Sequence, residues 1–183
     1  PLAMHIAESS EEDDLVRNGT GPFAELWKKR GIAVPEKGAN RSPIELLARH
    51  GLMRNNSLLI HTIRVDEADM DLIARHNCSV AHCPISNAKL GHGIAPLTEL
   101  LARNIRVGLG SDSMASNNRM DMLEEARMAL MFQRAHLNKH DAISAEKVLS
   151  LATIGGARAL GMDERIGSLE VGKDADIAAF AIT

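Results

Sequence analysis

The chain has 183 residues, 45% of them hydrophobic, with 21 Lys+Arg against 24 Asp+Glu and a formal net charge of -3, the profile of an ordinary globular protein. Aromatic residues make up 2%, with no Tyr and a single Trp (Trp27), and no basic patch stands out, which argues against the stacking platforms and cationic faces of nucleic-acid binders. No apolar stretch approaches the roughly 20 residues of a membrane helix, and no basic and apolar leader opens the sequence, so a cytoplasmic protein with neither a membrane nor a nucleic-acid partner is expected.

In chain order, a first strand is predicted near Leu2 to Ile6. Ser9-Ser10-Glu11-Glu12-Asp13-Asp14 then reads as a hydroxyl cap followed by acids in a helical first turn. Asn18-Gly19-Thr20-Gly21-Pro22 breaks the chain before a second helix through Phe23, Leu26 and Trp27, ended by Gly31. An extended stretch from Ile32 to Arg41 leads to Ser42-Pro43-Ile44-Glu45, which has the cap, proline and acid of a helix start, and that helix stops at Gly51.

From there the rhythm is regular: strand Ser57 to His61, helix Asp66 to His76, strand Ser79 to His82, helix Pro96 to Arg103, strand Arg106 to Leu109, helix Arg119 to Leu137. Short apolar runs alternating with amphipathic segments indicate βα units and a parallel sheet. In the last of these helices Met122, Leu123, Ala126, Ala129, Leu130 and Leu137 form an apolar stripe suited to covering a barrel wall. Ser144 caps a further helix, Ala145 to Ala152, and Gly155-Gly156 reads as a break before Ala157 to Gly161. From Ile166, glycine turns around short apolar runs suggest a second, smaller β unit. A half-barrel over residues 1–163 and a β segment over 164–183 are expected, since a whole eight-stranded α/β barrel takes about 250 residues. The chain thus reads as an incomplete piece of such a barrel.

Three apolar runs end on groups able to do chemistry: Met4-His5-Ile6-Ala7-Glu8, Leu58-Leu59-Ile60-His61 and Val107-Gly108-Leu109-Gly110-Ser111-Asp112. Parallel strands buried on both faces expose reactive side chains only at their C-terminal rim, so His5, Glu8, His61 and Asp112 are expected to meet there. Alone, each such histidine reads sooner as a hydrogen-bonded core residue than as a ligand. Together they favour function, because a buried Asp after Leu109-Gly110-Ser111 needs a cation or a set of donors beside it. His50 and His76, next to Arg49 and Arg75 at predicted helix ends, read as structural. His136 and His140 read as solvated surface. His82 and His92 flank a loop reaching the same rim and are candidates for lining the site rather than for holding a metal. Cys78 and Cys83 read as reduced, buried thiols.

His5-Ile6-Ala7-Glu8, the isolated His61, the loop Ser86-Asn87-Ala88-Lys89-Leu90-Gly91, the run Gly108 to Asp112 followed by Ser116-Asn117, and the tail Gly167 to Asp176 resemble the amidohydrolase superfamily. The branch they most resemble holds the zinc-dependent deaminases of S-adenosylhomocysteine, methylthioadenosine and related adenine nucleosides, with triazine hydrolases nearby. The resemblance implies an α/β fold that is the C-terminal half of a (β/α)8 TIM-like hydrolase barrel with part of a small β-sandwich. It implies His5 and Asp112 as metal ligands, Glu8 as proton shuttle, His61 as the histidine orienting the attacking water, and Glu8 and Ser116 as substrate contacts. The family's His-x-His pair has no counterpart here.

A catalytic zinc takes three or more protein ligands and keeps one position for water. His5 and Asp112 supply two, so this chain alone is expected to be inactive. The implied cofactor is one divalent ion, zinc, with iron or manganese as alternatives, and the implied partners are a small amino-heterocycle or nucleoside substrate and further copies in a homo-oligomer. The same site could serve triazine, guanine or cytosine-type hydrolysis, because the pocket decides the leaving group. A non-catalytic half-barrel module is the reading from another class.

Overall fold

A computed structural model describes residues 2–34 and 40–180. Four short strands, β1 (Ala3–Ile6), β2 (Leu58–His61), β3 (Ser79–His82) and β4 (Arg106–Leu109), form one sheet in the order β1-β2-β3-β4 with every pair parallel. All four C-terminal ends therefore lie on one side, as the βα reading requires. Met4 pairs with Leu59, Leu59 with Val80 and Val80 with Val107, a row running straight across the sheet. Leu59, Val80 and Val107 are buried in one cluster with Leu47, Ile73, Leu97, Leu100, Ala129 and Leu151 from the surrounding helices.

Local chemistry sets the helix starts. In α1 (Ser10–Asn18) the Ser9 side chain accepts from the Glu12 N–H, and α2 (Gly21–Lys29) follows after the left-handed Gly19. In α3 (Pro43–Arg49) and α4 (Glu67–Arg75), Ser42 with Glu45 and Asp66 with Asp69 form reciprocal capping boxes, each satisfying two otherwise unpaired N–H groups. His50 and His76 are the exposed C-caps of those two helices. The Ser42 hydroxyl also donates to buried Asp69, tying the two starts together. Helix α6 spans Leu97–Ala102.

Several expectations change. The stretch after β3 is not a loop but a helix, α5 (Pro84–Lys89), because Pro84 occupies a first-turn position where its missing N–H costs nothing. The expected helix Arg119 to Leu137 starts later, as α8 (Met122–Leu137), after Asp121, whose carboxylate accepts from the Leu123 and Glu124 N–H groups; a short helix not expected from the sequence, α7 (Met114–Asn117), precedes it and ends at the left-handed Asn118. His136 consequently sits in the last turn of α8.

Gly155-Gly156 is no break. After α9 (Ala145–Leu151), both glycines lie inside α10 (Ile154–Leu160). They let the helix press on the sheet face opposite Val80 and Val107, where side chains alternate to the small residues Ser79, Ala81 and Gly108. A Cβ on Gly108 would stand 2.7 Å from the Gly156 Cα, and the Ser79 hydroxyl donates to the Ala159 carbonyl at 2.6 Å.

The β unit expected from residue 164 onward forms no ladder in residues 164–180. Turns closed by Lys173 N–H to Glu170 O and Asp174 N–H to Arg165 O lead into extended backbone with Leu169, Val171 and Ile177 exposed. Alternating apolar residues make a strand only beside another strand able to take up their N–H and C=O groups, and none of the described residues pairs there. The last three residues of that expected segment, and positions 35–39 of the stretch expected to be extended, lie outside the described residues. Among the described residues no helix is long and apolar enough to cross a membrane.

Candidate active site at the strand ends

The rim is made by backbone that leaves the strand conformation abruptly. Ala7, His61, Thr62 and Asp112 all have positive φ, at 52°, 73°, 49° and 57°. Left-handed backbone is costly for residues with a Cβ and persists only where the surroundings over-determine it. Here the Ala7 carbonyl accepts from both the Ile63 and Arg64 N–H groups at 2.8 Å, while the Glu12 carboxylate accepts from the Ala7 N–H at 3.0 Å and the Glu8 N–H at 2.8 Å. Burial pushes the Glu12 pKa up, with those N–H bonds opposing it.

These turns bring His5, His61 and Asp112 together, each offering one ligand atom within 4.8 Å of the others. His5 Nε2 lies 3.9 Å from Asp112 Oδ1, and the His5 and His61 rings are 5.2 Å apart. His5 is open to solvent, whereas His61 is fully buried. Glu8 approaches from β1: its Oε1 is 3.5 Å from His61 Nε2 and 3.6 Å from His92 Nε2. A cavity of about 490 Å³ opens beside it, lined by His5, Glu8, Phe23, Leu90 and His92 among others.

Asp112 divides its two oxygens. Oδ2 accepts from the Ser86 hydroxyl at 2.7 Å and from the Ser116 hydroxyl, and Oδ1 is the oxygen facing His5. Partial burial acts to raise its pKa, but the Ser116 and Ser86 hydroxyls and the Ser113 N–H outweigh that, so the carboxyl titrates below its ordinary range. His61 likewise has one engaged atom, Nδ1, held 2.8 Å from Asn87 Oδ1. A carbonyl oxygen accepts, so Nδ1 carries the hydrogen and the Nε2 lone pair faces the site. That buried Nε2 has no hydrogen-bond partner. A lone pair turned toward a carboxylate oxygen calls for a proton or a cation nearby, and His5 Nε2 with Asp112 Oδ1, beside that lone pair, offers donor atoms that fit a divalent ion such as zinc.

Of the other candidates, His82 and both cysteines are buried. His82 ends β3 but is fully buried, with its pKa pushed down to about 4 chiefly by desolvation. Burial pushes the Cys83 thiol up to about 12, and both cysteines are free and buried, so neither is poised as a nucleophile.

The model of the amidohydrolase family matches residues 1–182. The chain belongs to the amidohydrolase family. It is 45% identical over 141 residues to a 5-methylthioadenosine/S-adenosylhomocysteine deaminase of Desulforudis audaxviator, covering 77% of this chain and 33% of that protein. A 5'-deoxyadenosine deaminase of Methanobrevibacter smithii is 38% identical over 135 residues, covering 74% and 31%. Among solved structures, an adenosine deaminase from Xanthomonas campestris with bound zinc superposes with a TM-score of 0.78 at 36% identity, over 96% of this chain and 36% of that one. The chain thus spans about a third of the length of the relatives it matches.

In this amidohydrolase segment the structure gathers every residue singled out at the strand ends, brings in the expected Ser116 and the lining candidate His92, and adds Ser86, Asn87 and Glu12. Ser116 is buried with its hydroxyl on Asp112. His92 reaches Glu8 from the turn after α5. Ser86 and Asn87 were visible only as part of a polar loop, because which atom each presents depends on the helical winding of α5. Glu12 was visible as a first-turn acid, with nothing to mark its reach back to β1.

Proposed function

We propose that, in a protein of its relatives' full length, this segment supplies one side of the active site of a zinc-dependent deaminase acting on an adenine nucleoside such as S-adenosylhomocysteine or methylthioadenosine. The observation that carries this is the convergence of His5, His61 and Asp112 within 4.8 Å, with Glu8 beside them on an open cavity. The activities for which the similar deaminases are named favour the substrate class. Zinc held by His5 and Asp112, with ligands from the rest of the protein, supplies Lewis acidity that makes water a competent nucleophile at neutral pH.

The chain's own groups then have distinct tasks. The His61 Nε2 lone pair accepts a hydrogen bond from the attacking water, orienting it, because Asn87 keeps the hydrogen on Nδ1. Asp112 takes up a proton from that water through the carboxylate oxygen that the ion would leave free, its side chain held in place by the Ser86 and Ser116 hydroxyls. Glu8, entering as the acid, gives its proton to the ring nitrogen next to the carbon under attack, takes one up from the hydroxyl on that carbon as it becomes a carbonyl, and hands it to the departing amino group, which leaves as ammonia; the proton on Asp112 then returns to Glu8. Ser116 stands on the substrate side with acceptor capacity left on its oxygen, since a hydroxyl that donates to Asp112 keeps lone pairs. A cytoplasmic homo-oligomer completes the reading.

The test is metal analysis of the full-length protein together with an ammonia-release screen over adenine nucleosides, guanine, cytosine and triazines. Ammonia from a 5'-substituted adenosine by a protein holding one divalent ion per site is expected. Full metal loading with release only from a triazine, guanine or cytosine would overturn the substrate assignment.

A further inference from the structure

Glu125 lies on α8, away from the reacting groups, and is fully buried. Each of its oxygens accepts from a different element: Oε2 from the Ile85 N–H of α5 at 3.3 Å, and Oε1 from the Asn117 side-chain amide of α7. Two N–H donors, one on each oxygen, are the partners of a carboxylate rather than of a carboxylic acid, which would turn an O–H toward one of them. The positions of those donors matter. Ile85 immediately precedes Ser86, and Asn117 immediately follows Ser116, the two residues whose hydroxyls both sit on Asp112 Oδ2. The same Asn117 amide donates to the Ser111 carbonyl at 2.6 Å, next to Asp112 itself. Asn87, which fixes His61, is one residue beyond Ser86.

We propose that Glu125 is a positioning residue that clamps α5 to α7, and through Ser86, Ser116 and Asn117 fixes the side chain of Asp112 with Oδ1 turned toward His5. It touches neither substrate nor metal and acts through the residues on either side of it. The effect on metal holding rests on the function proposed above, whereas the clamp does not.

The experiment uses the full-length protein and its E125Q variant, since a carboxamide keeps the volume but presents an NH2 to one of the two donors. In a metal-free crystal structure of E125Q, at least one of the Ser86 and Ser116 hydroxyls is expected to leave Asp112. Zinc affinity, measured with Zn2+ against a chromophoric chelator, is expected to fall roughly 10- to 100-fold, and the visible spectrum of the Co2+-loaded protein to shift with the altered ligand geometry. S42A serves as the control for burial alone: it breaks the hydroxyl contact to Asp69 between α3 and α4, and should lower the melting temperature without moving either metal readout. The proposal is overturned if both hydroxyls stay on Asp112 in E125Q, or if its zinc affinity remains within about twofold of the parent while only the melting temperature falls. If E125Q does not fold, N117A removes the donor on Oε1, and the same two results overturn the proposal in that variant. Should the parent take up no zinc, the functional reading fails, and the Asp112 contacts of the variant structure still decide the clamp.

Discussion

His61 Nδ1 lies 2.8 Å from Asn87 Oδ1, and this contact decides which nitrogen of the imidazole faces the site. Asn87 is therefore as much a part of the water-orienting group as the ring it holds. Replacing it by Leu removes the acceptor while keeping the same branched heavy-atom outline, freeing the ring to exchange tautomers. Turnover of the full-length protein should drop by roughly 10- to 100-fold, and 15N spectra of the imidazole should show the hydrogen leaving Nδ1. An unchanged tautomer with unchanged turnover would remove Asn87 from the mechanism.

Glu8 and the ligand pair should separate cleanly by metal content. Glu8→Gln keeps size and most hydrogen bonding but cannot pass a proton, so turnover should fall about 100-fold or more while zinc content stays at the parent level. His5→Ala and Asp112→Asn should lose zinc and activity together, because each removes a ligand atom. Elemental analysis beside the rate measurements distinguishes the two classes, and full metal loading in both ligand variants would contradict the assignment.

Gly108→Ala should destabilise the protein by about 1–3 kcal/mol, the usual cost of forcing a methyl group into a packed core. The contact it would create is a methyl carbon fixed to one backbone against the backbone of another element, at 2.7 Å from the Gly156 Cα, so no side-chain rotation relieves it. Denaturant unfolding should show a lower midpoint with an unchanged slope.

Buried His82 gives the stability a definite acid limb. Its pKa is about 4 in the folded protein against an ordinary 6.5, so below pH 6.5 the unfolded chain takes up a proton that the native state refuses. Its contribution is flat above pH 6.5 and falls progressively as pH drops toward 4, by on the order of 1–3 kcal/mol in total. In the metal-free protein, His82→Leu should flatten this part of the pH–stability curve. An identical slope in the variant would show that other groups set it.

The fold was legible where one local rule acted alone. The apolar runs ending at Ile6, His61, His82 and Leu109 are the strands, and Ser9, Ser42, Asp66 and Ser144 are caps with their donors in place. It was illegible where a residue's meaning depends on what lies across from it. Gly155 and Gly156 look like a break in the sequence and are instead the surface by which α10 meets Gly108. Leu169, Val171 and Ile177 alternate like a strand but pair with no described residue. The strand-end residues could be named from sequence because each strand delivers its own, whereas Asn87, Ser86 and Glu125 act across 26, 26 and 40 residues of chain.

The left-handed backbone at Ala7, His61, Thr62 and Asp112 also bears on the order of assembly. A side-chain-bearing residue in that conformation costs about 1–2 kcal/mol, and short-range contacts such as Ser116 to Asp112 cover only part of it. The larger offsets come from farther away: the Ala7 carbonyl reaching Ile63 and Arg64, Thr62 N–H reaching the Ile6 carbonyl, and Ser86 crossing to Asp112. Those partners are in place only once β1 to β4 are paired. The rim therefore cannot be complete before the strands have paired, and an ion arriving earlier would find scattered side chains rather than a site.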